Sequence, residues 1–389
     1  MLRPSGVYDV KYEQDLSIYR TRVDWFWGIL ILAVLLILPL LTREGPFFET
    51  GLVSVSVLST FTRIGIFIII VTGLNLLMGY TGQISLGQAA FVMVGAYTSQ
   101  VLVAQKGVTF WVALPISALF TGLVGLIFGI PSLRVRGFYL AMATLAAQFI
   151  IPWFIKAYEG TWFEGGFWDS TGFIGEFLRE IDLGGATGKS VPAPELLGAK
   201  FNNDLSMYYV VLVVMLLCAA AARNIIRSRI GRALISVRDN DLAAEQLGIN
   251  VFRYKLLAFF IAAVYAGIAG SLQAHANQSI SPGAFDLTVS IRYLGMLIVG
   301  GVGFPLGATF GVAFFFLIND FIIPNIRPWL QAQLPNLLPF VDSTNIEPAL
   351  LPMLFGITLV IFLIYEPRGL AYRWALIQAA WKLRPFSQA

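Results

Sequence analysis

The sequence predicts an all-α, polytopic membrane protein, and three observations support this class. Hydrophobic residues make up 57% of the 389 residues and charged residues only 12%, whereas a soluble domain carries about 25% charge. The mean hydropathy is +0.76. The apolar residues also form separate runs, most of them near the roughly 20 residues that cross a bilayer as a helix.

About ten apolar segments can be delimited, so the predicted architecture is about ten transmembrane helices, some of them short or broken. The clear segments are 25–41, 52–79, 84–104, 110–130, 137–155, 206–222, 256–276 and 350–365. Two shorter segments, 291–303 and 306–321, flank a glycine-rich turn. We expect these two to cross only as tilted or broken helices, or to be re-entrant.

Lysine and arginine fix the predicted orientation because they are enriched in cytoplasmic loops. They concentrate at 134–136, 223–255 and 368–384, which lie on one side if all segments cross. Both termini are therefore expected to be cytoplasmic, and the polar N-terminus does not resemble a cleavable signal peptide. The predicted organisation is an N-terminal tail (1–24), a transmembrane block (25–155), an extracytoplasmic loop (156–205), a second block (206–365) that includes the cytoplasmic loop 223–255, and a C-terminal tail (366–389).

Residue types that build most metal and enzyme sites are scarce. The chain has one cysteine and one histidine, so we expect no metal site, and no catalytic constellation is visible. The stretch 184–190 nearly matches the nucleotide-binding pattern GxxxxGK[ST], but Leu183 replaces its first glycine. It also lies in the predicted outer loop. The sequence therefore predicts no cofactor in this chain and no ATP site of its own.

Three ionisable residues lie in or beside apolar segments. His275 is near the outer end of one segment, where an interfacial or hydrogen-bonded side chain is favoured over a proton relay. Arg63 and Arg292 fall within apolar segments, where an isolated charge is costly. Each arginine is expected to face protein, water or lipid headgroups.

The stretch GYTGQISLGQAAFVMVGAY, at 79–97, interrupts apolar sequence with glycines and polar side chains. Irregular backbone at membrane depth is tolerated only where protein or water covers it. The stretch therefore predicts a buried helix break, and GGVGFPLG at 300–307 repeats the pattern loosely. The glycines assigned to these two structures are Gly79, Gly82, Gly87, Gly300, Gly301, Gly303 and Gly307.

A short helix is predicted in the basic cytoplasmic loop. Asp239 and Asp241 precede good helix formers, and carboxylates favour the positive N-terminal end of a helix. Gly248 supplies a C-terminal stop. A helix of about two turns is not stable alone in water, so it must pack on the membrane domain, a partner or both. The small Ala243 and Ala244 favour protein docking over lipid anchoring.

Four blocks of sequence and a short ending carry a family resemblance. The blocks are GLNLLMGYTGQISLGQAAFVMVGAY, LRVRGFYLAMATLA, SVRDNDLAAEQLGINVFRYKLLAFFIAAVYAGIAGSL and YLGMLIVGGVGFPLGATFG, and the ending is EPRGL. Together they resemble the M-type permease subunit of ATP-binding cassette importers for branched-chain amino acids. Permeases for urea and short-chain amides share this architecture, so the solute stays open.

The resemblance implies one of two membrane subunits of an importer in the bacterial plasma (inner) membrane. Its expected partners are a second, non-identical permease, an extracytoplasmic solute-binding protein and two cytoplasmic ATPases, which bind ATP and Mg²⁺. It implies no enzymatic activity in this chain and no nucleic-acid partner. The residues implied to couple to the ATPases are Asp239, Asp241, Ala243, Ala244, Glu245 and Gly248.

Polar side chains at the helix break leave two alternatives open. Asn75, Gln83, Ser85 and Gln88 either border the translocation path or only satisfy the broken backbone. A stand-alone secondary transporter remains a further alternative for the whole chain, although the scarcity of intramembrane acids argues against proton coupling.

The outer loop also has two interpretations. Its acidic residues suit a basic patch on a binding protein, and its clustered aromatic residues suit the bilayer interface. These aromatic residues are Trp162, Phe163, Phe167 and Trp168. Alternatively, the loop is an insertion that packs on the membrane surface.

Overall fold

The structure is a computed structural model that describes residues 22–37, 39, 55–132, 138–158, 180–185, 188–196, 199–200, 203–325 and 343–383. Within these residues the fold is almost entirely α-helical, as predicted. The helices are α1 (Arg22–Ile37), α2 (Val55–Thr81), α3 (Gln88–Gln100), α4 (Phe110–Ser132), α5 (Phe138–Ala157), α6 (Asp204–Arg227), α7 (Arg229–Asp239), α8 (Asp241–Gln246), α9 (Val251–Asn277), α10 (Leu287–Gly300), α11 (Gly307–Leu317), α12 (Ser343–Tyr365) and α13 (Leu370–Leu383).

Short elements extend or connect these helices. The π-helical turns Val101–Gln105 and Ile318–Ile322 continue α3 and α11, and the 3-10 helix Pro282–Phe285 precedes α10. Four two-residue strands form antiparallel pairs: β1 (Lys189–Ser190) with β4 (Ser279–Ile280), and β2 (Glu195–Leu196) with β3 (Ala199–Lys200). The β1–β4 pair ties the predicted outer loop to the end of α9.

Six helical segments of the described part of the chain are long and apolar enough to cross a bilayer. They are Val57–Thr81, Phe110–Ser132, Asp204–Arg227, Val251–Asn277, Pro282–Gly300 and Gly307–Asn325. The pair Phe355–Tyr365 and Leu370–Ala379, bent by 45°, forms a seventh candidate if it is one span. The chain is thus a polytopic membrane protein, while the predicted number of ten spans and the cytoplasmic termini stay predictions.

The two short predicted segments, 291–303 and 306–321, form helical segments that are longer than their apolar runs suggest. The preceding 3-10 turn lengthens α10, and the π-helical turn lengthens α11, so each is long enough to cross. In contrast, α1 has 16 residues and falls below the usual range. The predicted segment at 84–104 becomes a helix only from Gln88 onward, because the break occupies its first residues.

The centre of the bundle is α9, which packs against α2, α3 and α4. Small residues allow the helix backbones to approach closely, as is typical of membrane helices. A Cβ at Gly95 in α3 would overlap the backbone of Gly267 in α9. The rings of Phe91 and Phe259 meet edge to face, with 5.7 Å between centroids. Because α3 is buried on nearly all sides, it forms an internal helix that other helices cover.

Candidate functional site

Three turns meet at one end of the bundle, and we call them the turn cluster: 82–87, 301–306 and 366–369. The helix break follows α2, which ends at Thr81, and α3 begins at Gln88. A Cβ at Gly79 would overlap the backbone of Gly303, and a Cβ at Gly369 would overlap that of Gly301. The two predicted glycine structures therefore contact each other directly.

The predicted glycines serve two purposes in the turn cluster. Gly82 and Gly303 adopt φ angles of +70° and +81°, a region that side chains other than glycine rarely occupy. Others are needed for close approach: a Cβ at Gly87 would overlap the Thr144 carbonyl, and one at Gly300 would overlap that of Gly307. Backbone atoms cannot move aside as a flexible side chain can, so these positions favour glycine.

Asn75 joins the helix break to the second glycine turn. Its Nδ2 donates to the carbonyl of Phe304 at 2.8 Å, and its Oδ1 accepts from the amide of Gly303 at 2.8 Å. The side chain is only 3% exposed. One amide thus satisfies two backbone groups of a turn that is more than two hundred residues away in sequence.

The other polar candidates are also buried. Gln83 Nε2 donates to the Lys255 carbonyl and Gln88 Nε2 to the Ala262 carbonyl, both at 3.3 Å. Within the described residues, Gln83 Oε1 and Ser85 Oγ are buried and have no hydrogen-bond partner. These side chains therefore donate to backbone carbonyls and also leave polar atoms without a partner among the described residues. Both alternatives, a border of the translocation path or satisfaction of the broken backbone, stay compatible with this geometry.

Three side chains that the sequence analysis did not single out hold the start of α3. Leu86 N donates to Thr144 Oγ1 at 3.0 Å, and Ala90 N donates to Gln148 Oε1 at 3.0 Å. Ser290 Oγ accepts from the amide of the intervening α3 residue, Ala89, at 2.9 Å. A helix start leaves backbone N–H groups without intrahelical partners. The one available signal was an amide, Gln148, within apolar sequence.

The helices α7 and α8, in the loop predicted to be cytoplasmic, differ from the prediction in one respect. Asp239 is the last residue of α7 and does not open the short helix. Asn240 instead caps α8, because its Oδ1 accepts from Ala243 N at 3.0 Å. Asparagine is among the best N-caps, which the sequence analysis overlooked. Asp241 does lie in the first turn of α8, and its carboxylate pairs with Lys255 at 3.3 Å.

α8 rests on the bundle by one face and presents the other to its surroundings. Ala244 is 2% exposed, whereas Leu242 and Leu247 are 62% and 81% exposed. Glu245 and Ala243 are exposed as well. Gly248 ends the helix with φ +82°, and a Cβ added there would meet no atom of the described residues within 4 Å. A short helix with two exposed leucines is a candidate docking surface.

His275 lies at the opposite end of the bundle and anchors part of the loop that is predicted to be extracytoplasmic. Its Nδ1 is 2.8 Å from the Pro192 carbonyl and its Nε2 is 3.0 Å from Ser99 Oγ. A carbonyl can only accept, so Nδ1 carries the proton and Nε2 accepts from Ser99. Ser271 in turn donates to Ser99 at 2.8 Å. The predicted hydrogen-bonded histidine is therefore confirmed.

Replacing His275 with alanine is expected to loosen the 188–192 segment. A buried hydrogen bond contributes about 1 kcal/mol, and an unsatisfied partner costs about 1–3 kcal/mol. Amide hydrogen exchange at Val191, whose N–H donates to the Gln278 carbonyl at 3.0 Å, should accelerate. Asn277→Ala, at an exposed position of the same helix, is the control. Equal exchange in both variants would contradict the anchoring role.

Charged residues reinforce this anchor beside the loop. The Asp182 carboxylate accepts from Lys189 and from Gly184 N, and these bonds lower the pKa of Asp182. Lys106 pairs with Glu180. Lys189 lies in β1 and does not start a helix, so the stretch that resembles a nucleotide-binding loop lacks the structure of one. The aromatic residues predicted for the bilayer interface lie outside the described residues.

The two arginines within apolar segments face protein groups. Arg63 Nη2 is 3.6 Å from Asp320 Oδ2 and its guanidinium lies 5.8 Å from the Phe316 ring centroid. Arg292 lies 5.6 Å from the Phe315 ring centroid. Across the described residues, no group of three or more histidine, cysteine or acidic side chains could hold a metal ion.

Comparison with known proteins gives one family. The family model described as branched-chain amino acid transport system / permease component matches residues 56–363. The high-affinity branched-chain amino acid transport system permease protein LivM of Salmonella typhimurium is 32% identical over 247 residues, and that of Escherichia coli is 33% identical. Both alignments cover 61% of this chain and 57% of the relative, so the chain spans little more than half of their length.

A more distant relative is the probable branched-chain amino acid transport permease protein LivH of Methanocaldococcus jannaschii. It is 27% identical over 252 residues, which cover 63% of this chain and 73% of that protein. No solved structure matches the chain significantly. The apolar helices and these relatives identify the chain as a multi-pass protein of the bacterial inner membrane. Because the family model matches well over half of it, the chain belongs to the permease-component family of branched-chain amino acid transport systems.

Proposed function

We propose that the chain is one of two permease subunits of an ATP-binding cassette importer for branched-chain amino acids. In this proposal a second, non-identical permease completes the path, and an extracytoplasmic binding protein delivers the solute. Two cytoplasmic ATPases bind ATP and Mg²⁺ and drive transport. About ten crossings, cytoplasmic termini and the domain organisation predicted from the sequence belong to the same proposal.

The proposal rests on how α8 is exposed and supported. This helix lies in the arginine-rich loop, exposes Leu242 and Leu247, and is fixed to α9 through the Asp241–Lys255 ion pair. Exposed leucines on a short, rigidly supported helix suit insertion into a groove of another protein. In a permease-family chain that is expected to lack an ATP site, such a surface is where the energy of hydrolysis would enter.

We place the translocation path beside the helix break. Gln83 Oε1 and Ser85 Oγ are buried polar atoms without a partner among the described residues, and an unsatisfied buried polar group costs about 1–3 kcal/mol. A passing solute or water with hydrogen-bonding groups would satisfy them. The amides of Asn75 and Gln88 lie in the two helices that flank the break, α2 and α3.

Gln88→Leu is expected to abolish transport while the complex still assembles. Leucine has a similar volume, so packing is preserved, but the amide that bonds the Ala262 carbonyl at 3.3 Å is lost. Uptake and subunit co-purification are the two measurements. Unchanged uptake would contradict a path role and show that these side chains only satisfy the broken backbone.

The solute is tested most simply on the cognate binding protein. Calorimetric titration with leucine, isoleucine, valine, urea and short-chain amides should show selective binding of the branched-chain amino acids. Selective binding of urea or an amide would instead assign the chain to the sister permeases. The neighbouring genes identify which binding protein to test. In a separate uptake assay with the complete importer, removal of 162–182 should reduce uptake if the predicted outer loop receives the binding protein. Unchanged uptake would indicate that the loop packs on the membrane surface.

A further inference from the structure

We propose that Arg238 is a positioning residue that transmits movement of the coupling segment α7–α8 to the turn cluster. The inference rests on the proposed function, in which ATPases act on α8. It concerns a residue that lies outside the set implied to couple to the ATPases.

The Arg238 guanidinium bridges α7 and the end of α2. Nη1 donates to the Gly79 carbonyl at 2.8 Å, while Nε and Nη2 donate to Asp239 Oδ1 at 3.1 and 3.0 Å. Asp239, the next residue of α7, therefore holds the fork in place, and the third nitrogen, Nη1, is directed at the end of α2. The planar arginine fork allows this double attachment, which lysine cannot reproduce.

The Gly79 carbonyl needs an external donor because it lies in the last turn of α2, which ends at Thr81. In a continuing helix the amide of Gln83 would bond to it, but that amide donates to the Leu77 carbonyl at 3.4 Å. The last carbonyls of a helix lack intrahelical partners and carry partial negative charge. Arg238 supplies both a donor and a positive charge at this point.

A second contact extends the connection to the α10–α11 turn. Asn75, one helical turn before Gly79, binds the Gly303 amide and the Phe304 carbonyl, each at 2.8 Å. A Cβ built on Gly303 would also lie 3.2 Å from Arg238 Nη1. Two hydrogen-bonded steps thus join α7 to the turn between α10 and α11.

The short link between α7 and α8 couples the movement of the two helices. Only Asn240 separates α7 from α8, so a displacement of α8 by a docked ATPase also displaces α7. The helix break is the segment that can absorb a backbone change, because hinges are typically a few residues at element ends. Arg238 fixes one edge of this break to the moving segment.

The test uses the complete importer in proteoliposomes, with ATP hydrolysis and solute uptake measured together. Arg238→Gln should leave assembly and ATP hydrolysis intact, while uptake per ATP falls about tenfold, within the range of coupling effects. Arg238→Lys keeps the charge and loses the fork, so its uptake per ATP should be intermediate. Arg229→Gln, an exposed arginine at the other end of α7, should stay within about twofold of the unsubstituted importer.

A structural readout accompanies the transport assay. With Cys218 replaced, spin labels at Gln246 in α8 and at the exposed Val302 report on docking and on the turn cluster separately. Nucleotide trapping should shift both labels in the unsubstituted importer and only the α8 label in Arg238→Gln.

Uptake per ATP unchanged in Arg238→Gln, or loss of assembly in both Arg238 variants, would overturn the inference. ATP-independent uptake by the unsubstituted importer would instead contradict the proposed function, so the two failures are distinct.

Discussion

Gly270→Ala is expected to destabilise the helix bundle strongly. A Cβ at Gly270 in α9 would overlap the Val92 carbonyl of α3 and lie 2.9 Å from Ala96 N. Both obstacles are backbone atoms of a helix that is itself buried, so neither can yield by a rotamer change. A similar close approach between Gly95 and Gly267 lies on the same interface. Adding a single methyl group at this position therefore forces α3 and α9 apart.

Overpacking of this kind costs about 1–3 kcal/mol, and more where backbone must move. That is a large fraction of the roughly 5–15 kcal/mol that stabilises a typical protein. Thermal unfolding in detergent and the yield of monodisperse protein should both fall. Gly356→Ala in α12 is the matched control, since a Cβ there meets no atom within 4 Å among the residues that the structure describes, and alanine gains about 1 kcal/mol of helix propensity. Equal behaviour of the two variants would show that α3 and α9 are not packed this closely.

Gly248→Pro is expected to abolish ATPase co-purification and ATP-driven uptake. Gly248 has φ +82°, which proline cannot adopt, and its N–H donates to the Glu245 carbonyl at 2.9 Å. The substitution therefore removes the stop of α8 and changes how the exposed leucines are presented. Because the site has open space around it, the effect acts on the short helix and leaves the membrane bundle in place.

Two further variants separate docking from backbone geometry. Gly248→Asn should retain most activity, because asparagine tolerates the left-handed region. Glu245→Arg reverses an exposed charge on α8 without altering the backbone, and it should weaken ATPase binding if the partner surface is complementary. Unchanged uptake and co-purification in both Gly248→Pro and Glu245→Arg would contradict the docking role of α8.

Features encoded locally were predictable from the sequence. Apolar length located the long apolar helices, although α7 and α13 were not predicted. The glycines at 79–87 located the break, because both signals follow from neighbouring residues. The two-turn helix and its Gly248 stop were found in the same way. The error at Asp239 was also local: Asn240 offered an N-cap, and the carboxylates were given more weight than the cap.

Features that depend on distant pairing were not predictable. Asn75 was singled out for its polarity, but nothing in its surroundings indicated that it binds Gly303 and Phe304. Gln148 and Ser290, which hold the start of α3, lie in other helices. The sequence around Arg63 contains no acidic partner, and the fold places Asp320 beside it. In each case the partner lies more than fifty residues away, so spacing within one segment carries no signal.

The most direct test of the account is uptake of radiolabelled leucine into proteoliposomes. The vesicles contain both permeases and the ATPases, with the binding protein outside and ATP inside. We expect uptake to require ATP, the binding protein and an intact α8. It should stop when any one of them is removed or when Gly248→Pro is introduced. Uptake by the purified chain alone, without ATP or partners, would contradict it and identify a secondary transporter.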